Sequence, residues 1–340
     1  MTSRSSGRGR APARPALATA FTELAGCQVP IQLAAMGGGV VTPELAIAVS
    51  KAGGLGMLQF AGVTPLADRI ALLERAGAGP FGVNFVPGLG QGSQADVELA
   101  AAHARLVEFF WAEPDPALVS FVHASGALAG WQVGSVDEAR RAADAGCDLV
   151  IAQGVEAGGH VRGTAGLLPL LAGVLEAVPV PVLAAGGIAS ARSVAAVLAA
   201  GAAGVRVGTR FLATPESGAH PDYVAALLAT GAGGTVLTRA FSVGWPDAPH
   251  RVLRSALAAA EAFEGEVVGV HRTGPQERPL PKMAAQTPSR EVTGTVAAMA
   301  LYAGEGAGEI TEVIPAAQVV TELAQGAREL LERWAATPNP

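Results

Sequence analysis

The stretch Val180-Pro181-Val182-Leu183-Ala184-Ala185-Gly186-Gly187-Ile188, with Gly204-Val205-Arg206-Val207-Gly208-Thr209-Arg210 one helix further on, decides the fold. Each part opens as a short apolar run and ends on glycine, as a buried strand running into a loop does. Between them, Ser190 stands where its side-chain oxygen can cap a helix that continues to about Ala200, and Gly201 marks that helix's end. Strand, helix, strand is the βαβ unit of a parallel sheet.

The same alternation extends over most of the chain. Candidate strands occupy residues 29–35, 55–59, 81–86, 106–111, 128–133, 149–153, 180–185 and 204–209. The intervening segments carry helix-start chemistry: Thr42 as cap with Pro43 at the first helical position, and Ser135-Val136-Asp137-Glu138 as a capping box. Eight such units predict an α/β fold closed as a (β/α)8 TIM barrel over residues 19–235.

After the eighth strand the pattern changes. Gly231-Ala232-Gly233-Gly234 breaks the chain, and 245–249 and 275–288 read as loops, so a smaller accessory or lid domain is expected over 236–314. Beyond Pro315, a stripe of Val319, Val320, Leu323, Ala327, Leu330, Leu331 and Trp334 predicts a C-terminal helix over 315–340 that packs back on the barrel. Residues 1–18, rich in Arg, Ser, Gly and Pro and without an acid, read as a disordered arm.

Composition narrows the partners. Half of the 340 residues are apolar and only 15% are charged, so one large core is expected rather than disorder. The net charge of -6 argues against nucleic acid, which needs a concentrated basic surface. Apolar runs are broken by Gly, Pro or charge before they reach membrane-spanning length. Cys27 and Cys147 are far apart and lack metal-ligand spacing, which suits two free thiols in a reducing cytoplasm and no metal site.

In an α/β barrel the chemistry sits at the C-terminal ends of the strands. Three glycine-rich segments fall there. Ala35-Met36-Gly37-Gly38-Gly39 follows the first strand, where missing side chains let a ligand lie against the backbone. Gly186-Gly187 and Gly208-Thr209 follow the seventh and eighth, the usual place of a barrel phosphate site. Neither matches a P-loop or a GxGxxG dinucleotide fingerprint.

The third segment, Gln153-Gly154-Val155-Glu156-Ala157-Gly158-Gly159-His160-Val161-Arg162-Gly163, combines permissive backbone with titratable groups. His160 is the only histidine in a glycine-rich strand-end loop and is the candidate catalytic base. His103, His123, His220, His250 and His271 read as structural hydrogen bonders. Glu156 either orients the loop or caps a helix, and Arg162 faces either substrate or solvent.

Over about 21–214 these residues resemble the nitronate monooxygenase family, formerly 2-nitropropane dioxygenases. The resemblance rests on Pro30-Ile31-Gln32-Leu33-Ala34-Ala35-Met36-Gly37-Gly38, Ala52-Gly53-Gly54-Leu55-Gly56, Phe81-Gly82-Val83-Asn84, the Gln153 to His160 segment, Ala185-Gly186-Gly187-Ile188 and Gly208-Thr209-Arg210-Phe211. It implies a barrel that binds FMN, with the isoalloxazine near Ala35, Met36 and Gly37. Asn84 and Gln153 would then bond the ring, Gly158 and Gly159 would lie against the cofactor, and Gly186, Gly187, Gly208 and Thr209 would hold the phosphate.

The resemblance also implies that His160 is catalytic, that no metal is needed, and that a nitronate is oxidised by O2 to a carbonyl compound and nitrite. The partners are then a small-molecule substrate and O2; homo-oligomerisation stays open. The family often has Pro where this chain has Ala35, and Val161-Arg162 lengthens the gap from His160 to Gly163. Tyr302, within Leu301-Tyr302-Ala303-Gly304-Glu305, is similar to a late family segment that closes over the flavin. Two other readings fit the same residues: an FMN-dependent enoyl-acyl carrier protein reductase drawing electrons from NAD(P)H, and a non-catalytic flavin-binding barrel.

Overall fold

The computed structural model describes residues 17–62 and 64–336, so nearly all of the expected N-terminal arm lies outside the described residues. Leu17, at the arm's end, is buried in the main core.

Eight parallel strands form the barrel: β1 (Ile31–Leu33), β2 (Gly56–Gln59), β3 (Phe81–Phe85), β4 (Leu106–Phe109), β5 (Leu128–Val133), β6 (Leu149–Gln153), β7 (Val182–Ala185) and β8 (Gly204–Val207). Each pairs with its neighbour, β8 returns to β1 through Ile31 and Val205, and a parallel bridge from Gln32 to Leu55 joins β1 to the start of β2. All eight predicted strands are present, most of them shorter than predicted. The fourth stops at Phe109 because Trp111 takes a φ of 60°, outside the strand region.

The helix starts follow the sequence with one variation. Thr42 accepts the N–H of Leu45 with Pro43 behind it, and Ser190 forms a reciprocal box with Ser193. Ser135 accepts the N–H of Glu138 at 3.2 Å, but the Glu138 carboxylate takes the N–H of Gly134 at 2.7 Å instead of that of Ser135. The predicted reciprocal box is therefore shifted by one residue at its acidic end.

A second core organises the accessory region around Phe241, Val252, Leu280, Val292 and Met299. One three-stranded sheet joins Thr235–Thr238, His250–Leu253 and the two-residue strand Gly159–His160, so the loop after β6 is stitched into the lid with His160 opposite His250. A second sheet joins Gln276–Pro281, Val267–Thr273 and Val292–Gly294. Residues 276–281, expected as loop, are thus a strand. Pro279 and Pro281 are tolerated there because the strand is an edge, where a missing N–H breaks no second ladder.

The C-terminal helix spans Ala316–Ala336 and packs on the helices Ala191–Ala199 and Pro43–Lys51. Val319, Val320, Leu323 and Ala327 are buried, and Leu330 and Leu331 are partly so. Trp334 departs from the predicted stripe, with 77% of its surface exposed, because the helix has passed the edge of the barrel by its last turn.

Candidate active site

A cavity of about 660 Å3 opens between the C-terminal ends of the barrel strands and the lid. Its wall brings together all the residues expected from sequence: Ala35, Met36, Gly37, Asn84, Gln153, Gly158, Gly159, His160, Gly186, Gly187, Gly208 and Thr209. The lid contributes Trp245 and Tyr302, among others.

The glycines after β7 and β8 have specific reasons to be glycine. Gly186 and Gly187 take φ of 128° and 66°, left-handed backbone that disfavours any side chain. A Cβ on Gly208 would stand 3.2 Å from the Cβ of Ala34 and project at the first glycine loop. The Thr209 hydroxyl oxygen accepts the N–H of Gly304 at 3.0 Å, which leaves its proton to donate elsewhere. Bare backbone and a free hydroxyl donor suit a phosphate, and no Asp or Glu among the described residues lines the cavity to repel one.

His160 is positioned by backbone and by Gln153. The Gln153 amide nitrogen donates to the His160 carbonyl at 2.8 Å, and its amide oxygen accepts the Arg162 N–H at 3.1 Å, so this side chain clamps the His160 loop. The imidazole is walled by aromatics: Trp245 stacks on it, Trp111 meets it edge-on at 5.9 Å, and Tyr302 lies tilted at 5.4 Å. Its Nε2 is buried and has no hydrogen-bond partner among the described residues. Burial first, and His250 second, push its pKa down to about 3, so the ring is neutral at physiological pH.

His250 is fully buried and held in one tautomer, its Nδ1 donating to Ala248 O at 2.9 Å and its Nε2 accepting the N–H of Phe241 at 3.3 Å. This matches the structural role expected for it. His103 and His123 pair with Glu74 and Asp148, and His220 caps the helix Pro221–Leu228. His271 differs: it lines the cavity, and its buried Nε2 lacks a partner among the described residues.

Glu156 caps the helix Leu167–Ala177, both carboxylate oxygens accepting the Leu167 N–H at 2.9 and 3.0 Å. Arg162 turns from the cavity to Glu138 at 2.5 Å and Glu113 at 2.8 Å, with its guanidinium over Trp111. The Tyr302 hydroxyl donates to Ala285 O at 2.9 Å, and its carbonyl accepts the Tyr223 hydroxyl, which ties the late segment across the cavity.

Sequence reasoning missed the floor. Arg206 of β8 donates to Gln32 at 3.1 Å and also to Gln132 and Glu108, while Glu108 accepts from Gln32 and Asn84 at 3.0 Å each. This buried network fills the barrel where aliphatic layers would be ordinary. A signal was present: β1, β3, β4, β5 and β8 each carry one polar or charged residue inside an apolar run. One Asn84 Nδ2 proton is taken by Glu108, which leaves the Asn84 carbonyl oxygen and the second amide proton for a ligand.

A (β/α)8 barrel with a cavity at its strand ends, glycine loops after the seventh and eighth strands and a neutral buried histidine in the cavity wall has the arrangement of a barrel enzyme. The chain matches the nitronate monooxygenase family over residues 18–98 and 89–326, and it belongs to that family of flavin oxidoreductases. It is 37% identical over 75% of its length to (3aS,4S,5R,7aS)-5-hydroxy-7a-methyl-1-oxo-octahydro-1H-indene-4-carboxyl-CoA dehydrogenase of Rhodococcus jostii, of which it covers 70%. It is 30% identical to a probable nitronate monooxygenase of Bacillus subtilis, covering 87% of this chain and 95% of that one. The solved nitroalkane oxidase of Streptomyces ansochromogenes is similar over 94% of this chain and 100% of its own, with 32% identity and a TM-score of 0.74. Among the described residues no helix is long and apolar enough to cross a membrane, and no cluster of His, Cys, Asp and Glu could hold a metal.

Proposed function

We propose that this chain binds FMN and oxidises alkyl nitronates, and nitroalkanes once deprotonated, with O2 to a carbonyl compound and nitrite. One observation carries the reading: the His160 Nε2 is buried, unpartnered among the described residues and set in the cavity wall that the glycine loops complete. A buried donor or acceptor without a partner costs about 1–3 kcal/mol, so a site that keeps one is built for a ligand.

FMN fits the residues present. Gly186, Gly187, Gly208 and Thr209 would hold its phosphate, Ala35, Met36, Gly37, Gly158 and Gly159 would lie against it, and the Asn84 carbonyl oxygen and the orphaned Gln59 Oε1 would meet ring N–H groups. Gln153 serves this site by holding the His160 loop. Electron transfer between nitronate and O2 is the chemistry the bound flavin would supply. His160, neutral because it is buried, presents its free Nε2 to the α-proton of a nitroalkane, and the nitronate anion formed beside the ring would hold the proton there against the burial that disfavours the imidazolium. Trp111, Trp245 and Tyr302 keep water from the reacting carbon, which strengthens the electrostatics around the developing anion. Residues 236–314 act as the lid that supplies Trp245 and Tyr302 to this dry wall, Trp111 coming from the loop after β4, and the unpaired Cys27 and Cys147 favour a cytoplasmic location.

Nitrite release from propionate 3-nitronate under air, by protein reconstituted with FMN, is the test. The Rhodococcus relative is named for a carboxyl-CoA thioester, which keeps open a second reading in which this chain acts on a thioester, as in FMN-dependent reduction of an enoyl thioester by NAD(P)H. Flavin bleaching by NADH or NADPH without a nitro compound, followed by enoyl-thioester reduction and no nitrite release, would select it. Protein that stays colourless after reconstitution would remove both.

A further inference from the structure

The hairpin Val267–Thr273 and Gln276–Pro281 roofs the cavity, and its register sorts its charges. His271 stands opposite Arg278 and Gly269 opposite Leu280, so alternation puts His271, Thr273, Arg278 and Leu280 on one face, and all four line the cavity. On the other face Arg272 pairs with Glu277 at 2.7 Å. The outer charges thus neutralise each other, whereas the inner face carries the Arg278 charge beside a His271 that burial and Arg278 hold toward its neutral form.

Two arginines line the cavity. Arg206 is neutralised by Glu108 in the floor, whereas Arg278 has no carboxylate within ion-pair distance among the described residues. Its guanidinium donates instead to Gln286 Oε1 at 3.1 Å, and Gln286 Nε2 would stand 3.2 Å from a Cβ on Gly38, so the arginine is braced against the first glycine loop. His271 beside it offers a buried, unpartnered Nε2, and Thr273 offers a hydroxyl. Arg278 and Thr273 thus present donors at the exposed outer edge of the cavity, His271 adds an unpartnered ring nitrogen, and the Glu291 carboxylate that acts on His271 lies outside the cavity lining. The flavin phosphate is assigned to the barrel loops, which leaves the roof to the substrate.

We propose that this face of the hairpin is an anion subsite, in which Arg278, with His271 and Thr273, holds a carboxylate or phosphate on the end of the substrate remote from the reacting carbon. The proposal rests on the cavity's being the flavin and substrate site argued above. A planar guanidinium binding a carboxylate or phosphate in two bonds gives register as well as affinity. The substrate class is then an anionic nitro compound, or a thioester whose carrier brings the phosphate.

Anaerobic isothermal titration of the FMN-loaded protein, which withholds O2 from the reaction, tests this apart from turnover. The probes are 3-nitropropionate and its neutral counterpart 1-nitropropane, with coenzyme A as the phosphate-bearing probe. The expected result is that Arg278→Gln lowers the preference for 3-nitropropionate over 1-nitropropane at least about fivefold, while Arg272→Gln, which removes the same charge from the outer face, changes it less than twofold. Weakening of coenzyme A alone by Arg278→Gln supports the subsite and names a carrier phosphate as its anion. Equal effects of the two variants, no effect of Arg278→Gln on any probe, or a loss of FMN affinity in its place would overturn the proposal. Nitrite release is scored separately: its absence defeats the nitronate reading and leaves this binding comparison to decide the subsite.

Discussion

The imidazole of His160 lies nearly flat against the indole of Trp245, ring centroids 3.7 Å apart and planes 19° from parallel. Trp245 comes from the lid and His160 from the loop after β6, so the contact couples lid position to an imidazole whose buried Nε2 has no partner among the described residues. Removing the indole admits water to the ring. The His160 pKa in Trp245→Ala is expected to rise from about 3 by at least one unit, read from an NMR titration of the ring protons. An unchanged titration would show that the lid does not set the protonation state.

The same depression makes a stability prediction with a definite sign. Between the ordinary histidine pKa of 6.5 and the folded value of about 3, the unfolded chain binds a proton that the folded chain refuses, so stability falls as pH drops through that window. The group's contribution is about 1.4 kcal/mol per pH unit. Denaturant melts of wild type and His160→Asn are expected to diverge below pH 6.5 by about that slope, with the wild type losing more.

The floor network sets a third expectation. Glu108→Gln leaves the buried Arg206 guanidinium without its counter-charge, at a cost of about 3–5 kcal/mol. Urea unfolding is the measurement. The double variant Glu108→Gln with Arg206→Met should recover part of the loss, since the uncompensated charge is gone.

Gly186→Ala tests the phosphate loop. At φ 128° a side chain is strained, and its Cβ would come within 3.2 Å of the Ala157 nitrogen and the Gly154 oxygen. Strain of this kind costs about 1–3 kcal/mol. The expected result is FMN affinity lowered at least about tenfold, measured by fluorescence titration, with the barrel still folded by circular dichroism.

The barrel was legible because its signals are local: β-branched runs, glycines at strand ends, and Ser or Thr caps such as Ser190 repeat at one spacing. The glycine loops and His160 were legible for the same reason, since each sits directly after a strand. What joins them was not. His160 meets Trp245 and Tyr302 only through the lid, whose edge strand at 276–281 is disguised by Pro279 and Pro281, and the Arg206–Glu108 pair spans residues nearly a hundred positions apart. Gln153 read as a group for the flavin, and only the hydrogen bonds to His160 and Arg162 show it clamping the loop. Trp334 fitted a helical period that continued past the surface it packs on.

The proposed role of His160 as the base of an FMN-loaded, nitronate-oxidising site is open to a direct measurement. Nitrite release from propionate 3-nitronate and from nitroethane should be followed under air in wild type and His160→Asn, both reconstituted with FMN and matched by flavin absorbance. The expected result is nitrite from the wild type, and in the variant a fall of at least about a hundredfold with nitroethane, whose α-proton must be removed, at unchanged flavin content. Equal nitroethane turnover in the two proteins would contradict the role of His160, and no nitrite from flavin-loaded wild type would contradict the activity itself.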